Sequence, residues 1–302
     1  MKLRTFIFNT LAMASVSACK PPTAKFQSAG KLRVLASFLP IQSHASAIAG
    51  DLASVEQLLS RDAGPHDFQF SPADVKKLAE ADLFIVNGAG LEAWLAELLK
   101  KAASPKLVVV DCAADIPLQP NPKSLEITPT HDSRGNPHLW LDPILAKAQA
   151  ATILAALQKA NPANSPAYAS NAAAYFAQLD ALDAEFHAVL DPLPNKNLVT
   201  FHDAFPYLAA RYELNYVGCV SEFPEKDPPP QQLARLIDGI RASKAGVLFA
   251  ENGYAPGLLN EIARQTGTCV SLIDTLEIGN GYATAYLDRM RGNLAALKAA
   301  FS

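Results

Sequence analysis

The sequence predicts an α/β protein of two parallel-sheet lobes bridged by one long rigid helix. Three observations predict it. Short apolar runs alternate with helical segments in both halves of the chain, the pattern of strands buried on both faces by helices. Between the halves, a helical pattern runs over roughly 25 residues, or about 37 Å at 1.5 Å per residue, longer than a compact lobe is wide. The 302 residues are 50% hydrophobic, enough apolar material for one large core or two medium ones.

The elements follow in order. Leu32-Arg33-Val34-Leu35-Ala36 reads as a strand and Pro40 to Ala49 as a helix. Ser54 to Leu59 is a second strand, and Ser71-Pro72 caps and opens a helix through Ala79. Asp82 to Val86, a helix over Glu92 to Lys101, and a strand over Leu107 to Val110 complete the first sheet. Asp142-Pro143 opens an alanine-rich helix through Lys159, and Ser165-Pro166 opens the long one. Its apolar positions Tyr175, Phe176, Leu179, Leu182, Phe186 and Leu190 fall at helical spacing. Strands near 197–201, 216–220, 246–250 and 268–273 alternate with helices near 204–212, 230–243 and 256–266. The architecture repeats, although the sequence does not.

Lys2 and Arg4 precede an uncharged run, Thr5 to Ala18, that is too short to span a bilayer and suits the apolar part of a signal peptide. The run ends in Val16-Ser17-Ala18-Cys19, which resembles the bacterial lipoprotein box, whose cysteine is lipidated. The expected division is signal peptide 1–18, lipidated Cys19 and tether 19–31, N-terminal lobe 32–164, linking helix 165–191 and C-terminal lobe 192–302. Cys112, Cys219 and Cys269 lack C-x-x-C spacing and read as small buried apolar residues. A net charge of −3 without basic runs gives no sign of a nucleic-acid partner.

Three histidines and an aspartate stand out by placement. His202 and Asp274 each follow an apolar strand, where ligands bind in open parallel sheets. His66 lies in the loop beyond the second strand, and His138 just precedes a helix start. Singly, each reads as a hydrogen-bonded structural residue or a cap. Together, three imidazoles and one carboxylate, fed by both lobes, suit a tetrahedral divalent-metal site in the cleft between them. His44, after the first strand, is a minor candidate for the cleft wall. His131 and His187 read as surface or partly buried residues.

These residues carry a resemblance. Gly64-Pro65-His66-Asp67-Phe68-Gln69-Phe70-Ser71-Pro72, with Ala81-Asp82-Leu83, Asn87-Gly88 and Leu91-Glu92-Ala93-Trp94, resembles the signature of cluster A-I solute-binding proteins of metal ABC transporters. Asn136-Pro137-His138-Leu139-Trp140-Leu141-Asp142-Pro143, Phe201-His202-Asp203-Ala204-Phe205, and Phe249-Ala250-Glu251 with Ile273-Asp274 are similar to the later signatures. The resemblance runs from Leu32 to the C-terminus. It implies His66, His138, His202 and Asp274 as ligands, with Glu277 and Glu251 as alternatives to Asp274. Glu251 is preferred as an acceptor that orients a histidine ring. Members with histidine at the His202 position look like zinc receptors and those with glutamate there tend towards manganese, in line with ligand chemistry. Many zinc members carry a histidine- and acid-rich loop before the second signature; here that loop is short and holds only His131.

The implied function is an extracytoplasmic Zn(II) receptor. It would be a monomer tethered to the membrane by its lipid, in the periplasm or at the cell surface, delivering metal to an ABC permease. Alternatives are a Mn(II) or Fe(II) receptor of the same family and an extracytoplasmic zinc hydrolase. The last lacks a His-Glu-x-x-His pattern and an evident nucleophile. Glu222 to Pro228 reads as a mobile loop near the cleft.

Overall fold

Two four-stranded sheets, all of whose pairings are parallel, form the two lobes. The computed structural model describes residues 30–66, 68–119, 135–221, 228–252 and 257–302. Cys19, His131 and 222–227 of the expected mobile loop lie outside the described residues.

The first sheet has the order β2-β1-β3-β4, from β1 (Leu32–Ala36), β2 (Ala53–Gln57), β3 (Leu83–Val86) and β4 (Val108–Asp111). The second repeats it as β6-β5-β7-β8, from β5 (Asn197–Thr200), β6 (Asn215–Cys219), β7 (Val247–Glu251) and β8 (Cys269–Ile273). In each sheet the order reverses between two central strands, β1/β3 and β5/β7. Parallel sheets open a crevice at such a switch point, beyond the carboxyl ends of the strands.

Local chemistry sets the helix starts. In α2 (Pro72–Glu80), Ser71 and Asp74 form a capping box, with Asp74 accepting the Ser71 amide at 2.8 Å. Asp142 accepts the amides of Ile144 and Leu145 at the start of α4 (Pro143–Ala160). One start differs from expectation: α3 spans Leu95–Ala102, not from Glu92. The Glu92 carboxylate turns inward and accepts the amides of Asn87 and Gly88 at 2.8 and 3.1 Å. Its role is to close the turn after β3, and burial holds its carboxyl up at about 7.

The spine is α5 (Ser165–Leu190), 26 residues long. Its buried stripe is Tyr168, Ala172, Tyr175, Leu179, Leu182, Phe186 and Leu190, a three-and-four spacing that gives one apolar face. That face packs on α4 and α1 (Leu39–Ala49) of the first lobe. It also meets α9 (Ala285–Phe301), a C-terminal helix that the sequence reading did not anticipate. One apolar cluster therefore runs from Phe84 and Ile85 through Ile153 and Leu179 to Phe249, Met290 and Leu297. In the second lobe, where α6 (Pro206–Arg211) precedes α7 (Pro230–Ser243) and α8 (Gly257–Thr266), a smaller cluster including Val199, Leu236, Leu248 and Leu259 lies beneath the last two helices. A core continuous across both lobes resists large hinge motion.

His44 belongs to that core, not to the cleft wall. It is fully buried, its Nδ1 lies 2.8 Å from the Tyr175 hydroxyl, and its Nε2 has no partner among the described residues. Burial pushes its pKa down to about 3. The unfolded chain takes up this proton near pH 6.5 and the folded chain does not. Its contribution is therefore complete above pH 6.5 and lost as pH falls towards 3, about 5 kcal/mol over the whole window. Thermal unfolding between pH 7 and 4 should show a steeper acid loss for the parent than for His44→Gln; equal slopes would contradict this role.

Cys112 and Cys219 are buried, as their apolar reading requires. Cys269 is exposed instead, because it opens the edge strand β8.

Candidate metal centre

The two central strands of the second sheet deliver the first pair of residues. His202 follows β5, and Glu251 is the last residue of β7, so both stand at the switch point. The Glu251 carboxylate accepts the His202 amide at 3.0 Å through Oε1 and the His202 Nδ1–H through Oε2. That fixes the tautomer and aims Nε2 into the cleft.

His138 comes from the first lobe, at the end of the Asn136-Pro137 turn, and is oriented in the same way. Asn136 Oδ1 accepts both the His138 amide at 3.0 Å and its ring Nδ1–H at 2.8 Å. The Asn136 amide nitrogen donates to the Asp203 carbonyl at 2.8 Å, across the lobe boundary. The Tyr207 hydroxyl donates to the Asn136 carbonyl at 2.7 Å. Behind the turn, Asn87 at the end of β3 donates to the Pro137 carbonyl and accepts from Gln149. The sequence reading missed Asn136. Its signal is an amide two residues before a histidine, with proline fixing the backbone between them.

His66 reaches the same point from the β2–α2 loop. The Trp94 indole donates to the Pro65 carbonyl at 2.9 Å, and Phe68 packs on Trp94. These contacts hold the loop against the first lobe.

The structure brings His66, His138 and His202 together with Glu277, not with Asp274. Glu277 Oε1 lies 3.1 Å from His66 Nε2, 3.2 Å from His138 Nε2 and 3.6 Å from His202 Nε2. The Nε2 atoms of His138 and His202 are 3.3 Å apart. A tetrahedral ion with bonds of about 2.0–2.1 Å holds its donors about 3.3–3.4 Å apart. The four donor atoms all lie within 4.8 Å of one another, close enough to converge on a single ion. Asp274 is engaged elsewhere: its carboxylate accepts the Leu276 amide at 2.8 Å and the Arg289 Nε–H at 2.5 Å. The reason is backbone direction. Asp274 directly follows β8 and faces α9, and the chain needs three more residues to turn a carboxylate into the cleft.

Electrostatics follow from this packing. Burial holds His138 well below the usual imidazole range, outweighing Glu277. Burial pushes His202 the same way, but Glu251 and Glu277 on either side outweigh it and hold the ring well above the usual imidazole range. Burial alone would raise the Glu277 carboxyl; the His202 and His66 rings hold it well below its ordinary value. The side chains of His138, His202 and Glu277 are 0% exposed, while His66 retains 7%. The approach to the centre therefore passes His66.

Residues 34–300 match the sequence profile of the ZnuA family, described as zinc-uptake complex component A, periplasmic. The chain belongs to this family. Among ZnuA-family relatives, it is 29% identical over 307 residues to the zinc-binding lipoprotein AdcA of Streptococcus pneumoniae serotype 4. That match covers 99% of this chain and 61% of AdcA, so the chain spans well under the full length of that relative. It is 32% identical to the iron-binding protein YfeA of Yersinia pestis, over 93% of this chain and 88% of YfeA. Among solved structures, the laminin-binding adhesin Lmb of Streptococcus agalactiae superposes with a TM-score of 0.81 at 29% identity. That superposition covers 90% of this chain and all of Lmb. The two-lobe fold of the ZnuA family is thus the fold described above.

Proposed function

We propose that this chain is the extracytoplasmic Zn(II) receptor of an ABC importer, with His66, His138, His202 and Glu277 as ligands. The observation that carries the proposal is the convergence of three imidazoles and one carboxylate, with Glu277 Oε1 3.1, 3.2 and 3.6 Å from the Nε2 atoms of His66, His138 and His202. Three imidazoles with a single carboxylate suit zinc; manganese favours oxygen donors and more of them. The family description and the zinc-binding name of AdcA support the same metal. The iron-binding name of YfeA keeps Fe(II) or Mn(II) as the second reading.

Capture without turnover follows from the donor set. Four protein ligands close the shell of a tetrahedral ion and leave no position for a reactive water. A hydrolase would need a free carboxylate as general base, but Glu251 has both oxygens committed to His202 and Asp274 is engaged by Leu276 and Arg289. The hydrolase reading therefore lacks both the water site and the base.

Zinc competes with protons for these rings, so its affinity should fall as pH drops. The cargo would pass to a permease, and an exported chain would reach it from a lipid anchor at Cys19, with 1–18 as the export signal. In a strain dependent on this receptor, growth under zinc limitation should be restored by the parent gene and not by His202→Ala. Equal rescue by both would contradict the proposal. Labelling with radioactive palmitate should disappear in Cys19→Ala; persistent labelling would rule out that anchor.

A further inference from the structure

We infer that Asp274, Arg289 and Asn293 are positioning residues that present Glu277 to the three imidazoles; this rests on the reading of the cluster as a metal site. β8 stops at Ile273, and the next residue is gripped on every polar atom. Asn293, buried on α9, accepts the Asp274 amide at 2.8 Å and donates to the Asp274 carbonyl at 2.6 Å. The Asp274 side chain then accepts the Leu276 amide, which bends the backbone at once. Leu276 sits at φ +61°, a left-handed conformation that a γ-branched apolar residue adopts only when its surroundings impose it. Its side chain is fully buried, and Glu277, the next residue, is thereby turned into the cleft.

Arg289 closes the bracket. Nε donates to Asp274 before the bend, and Nη1 donates to the Ile278 carbonyl after it at 2.6 Å. One guanidinium therefore ties both feet of the loop whose crown is Glu277. Arg289 and Asn293 are four residues apart on one face of α9, so a single helix supplies both grips. Gly279, at φ +127°, leaves room for this: a Cβ there would lie 2.6 Å from Arg289 Nη1. From the first lobe, Gln57 at the end of β2 donates to the Gly279 carbonyl and accepts from the Gly281 amide. Within the loop, the Thr275 hydroxyl donates to Glu277 Oε2, leaving Oε1 towards the histidines. A lysine at 289 could not make both contacts in this geometry, because it lacks the planar fork. Asp274 thus acts on the metal through Glu277 and not by ligation.

The test is a double-mutant cycle on zinc affinity, with Asp274→Ala and Glu277→Gln, read by competition against a chromophoric chelator. Asp274→Ala should weaken zinc about 10–100-fold in the parent and about twofold or less once Glu277 is already Gln. Cobalt-loaded Asp274→Ala should also take on the visible spectrum of cobalt-loaded Glu277→Gln. If Asp274→Ala does not fold, Arg289→Lys replaces it in the same cycle. Equal losses in both backgrounds, or an unaltered cobalt spectrum, would overturn the positioning role while leaving the metal site intact. Absence of zinc binding by the parent would instead overturn the reading of the cluster, and this inference with it.

Discussion

Substitution of His202 by alanine should cost both zinc and fold, by separable routes. A four-ligand zinc site is worth about 10–16 kcal/mol, or about 3 kcal/mol per ligand, so one lost imidazole should weaken zinc by roughly 100-fold or more. The second loss appears without metal. Glu251 is 2% exposed and is held by the His202 ring and amide. Deleting the ring leaves a buried carboxylate facing an empty space, a change that costs about 3–5 kcal/mol when one partner of a buried pair is removed. Adding Glu251→Gln should recover most of that stability and none of the zinc affinity. Denaturant unfolding of the metal-free proteins, together with zinc titration, reads the two effects separately. A metal-free His202→Ala as stable as the parent would refute the buried-pair argument.

Trp140→Ala should be among the most destabilising single changes to the framework, at about 3–5 kcal/mol. The indole is fully buried and meets Phe38 edge-on at 4.9 Å. Its position also matters to the site. Nε1 donates to the Thr275 carbonyl at 2.7 Å, and the Tyr286 hydroxyl donates to the Trp140 carbonyl. The residue two places after His138 is thereby bonded to the residue two places before Glu277. Trp140→Phe keeps most of the apolar ring but orphans that carbonyl, which should cost about 1–3 kcal/mol. Chemical denaturation should rank parent, Trp140→Phe and Trp140→Ala in that order. A loss below about 1 kcal/mol for Trp140→Ala would mean the core collapses around the gap and does not depend on this residue.

Most of the framework was legible because its signals are local. Ser71-Pro72 and Asp142-Pro143 mark helix starts by side-chain chemistry within a few residues, and the buried stripe of α5 repeats every three or four positions. His66, His138 and His202 were legible as a set because parallel sheets gather ligands beyond strand ends. Glu251 was legible only through the family resemblance, because its place on the strand beside that of His202 depends on the sheet order. The fourth donor was not. Asp274 occupies the expected strand-end position, and only the bend at Leu276 sends Glu277 to the cleft in its place. That bend is imposed by Arg289 and Asn293 on α9, a helix the sequence reading left out, so no local pattern announces it. Glu92 misled for a similar reason: a good helix-starting residue was required instead to satisfy two amides after β3.

The proposed centre holds one zinc through His66, His138, His202 and Glu277. The most direct measurement is a competition titration of metal-free protein, residues 20–302, with Zn(II) and Mn(II), repeated on Glu277→Ala. One tightly bound zinc per chain, weaker manganese, and loss of tight zinc in Glu277→Ala are expected. Tight manganese with weak zinc, or zinc binding unaltered by Glu277→Ala, would contradict the proposed centre.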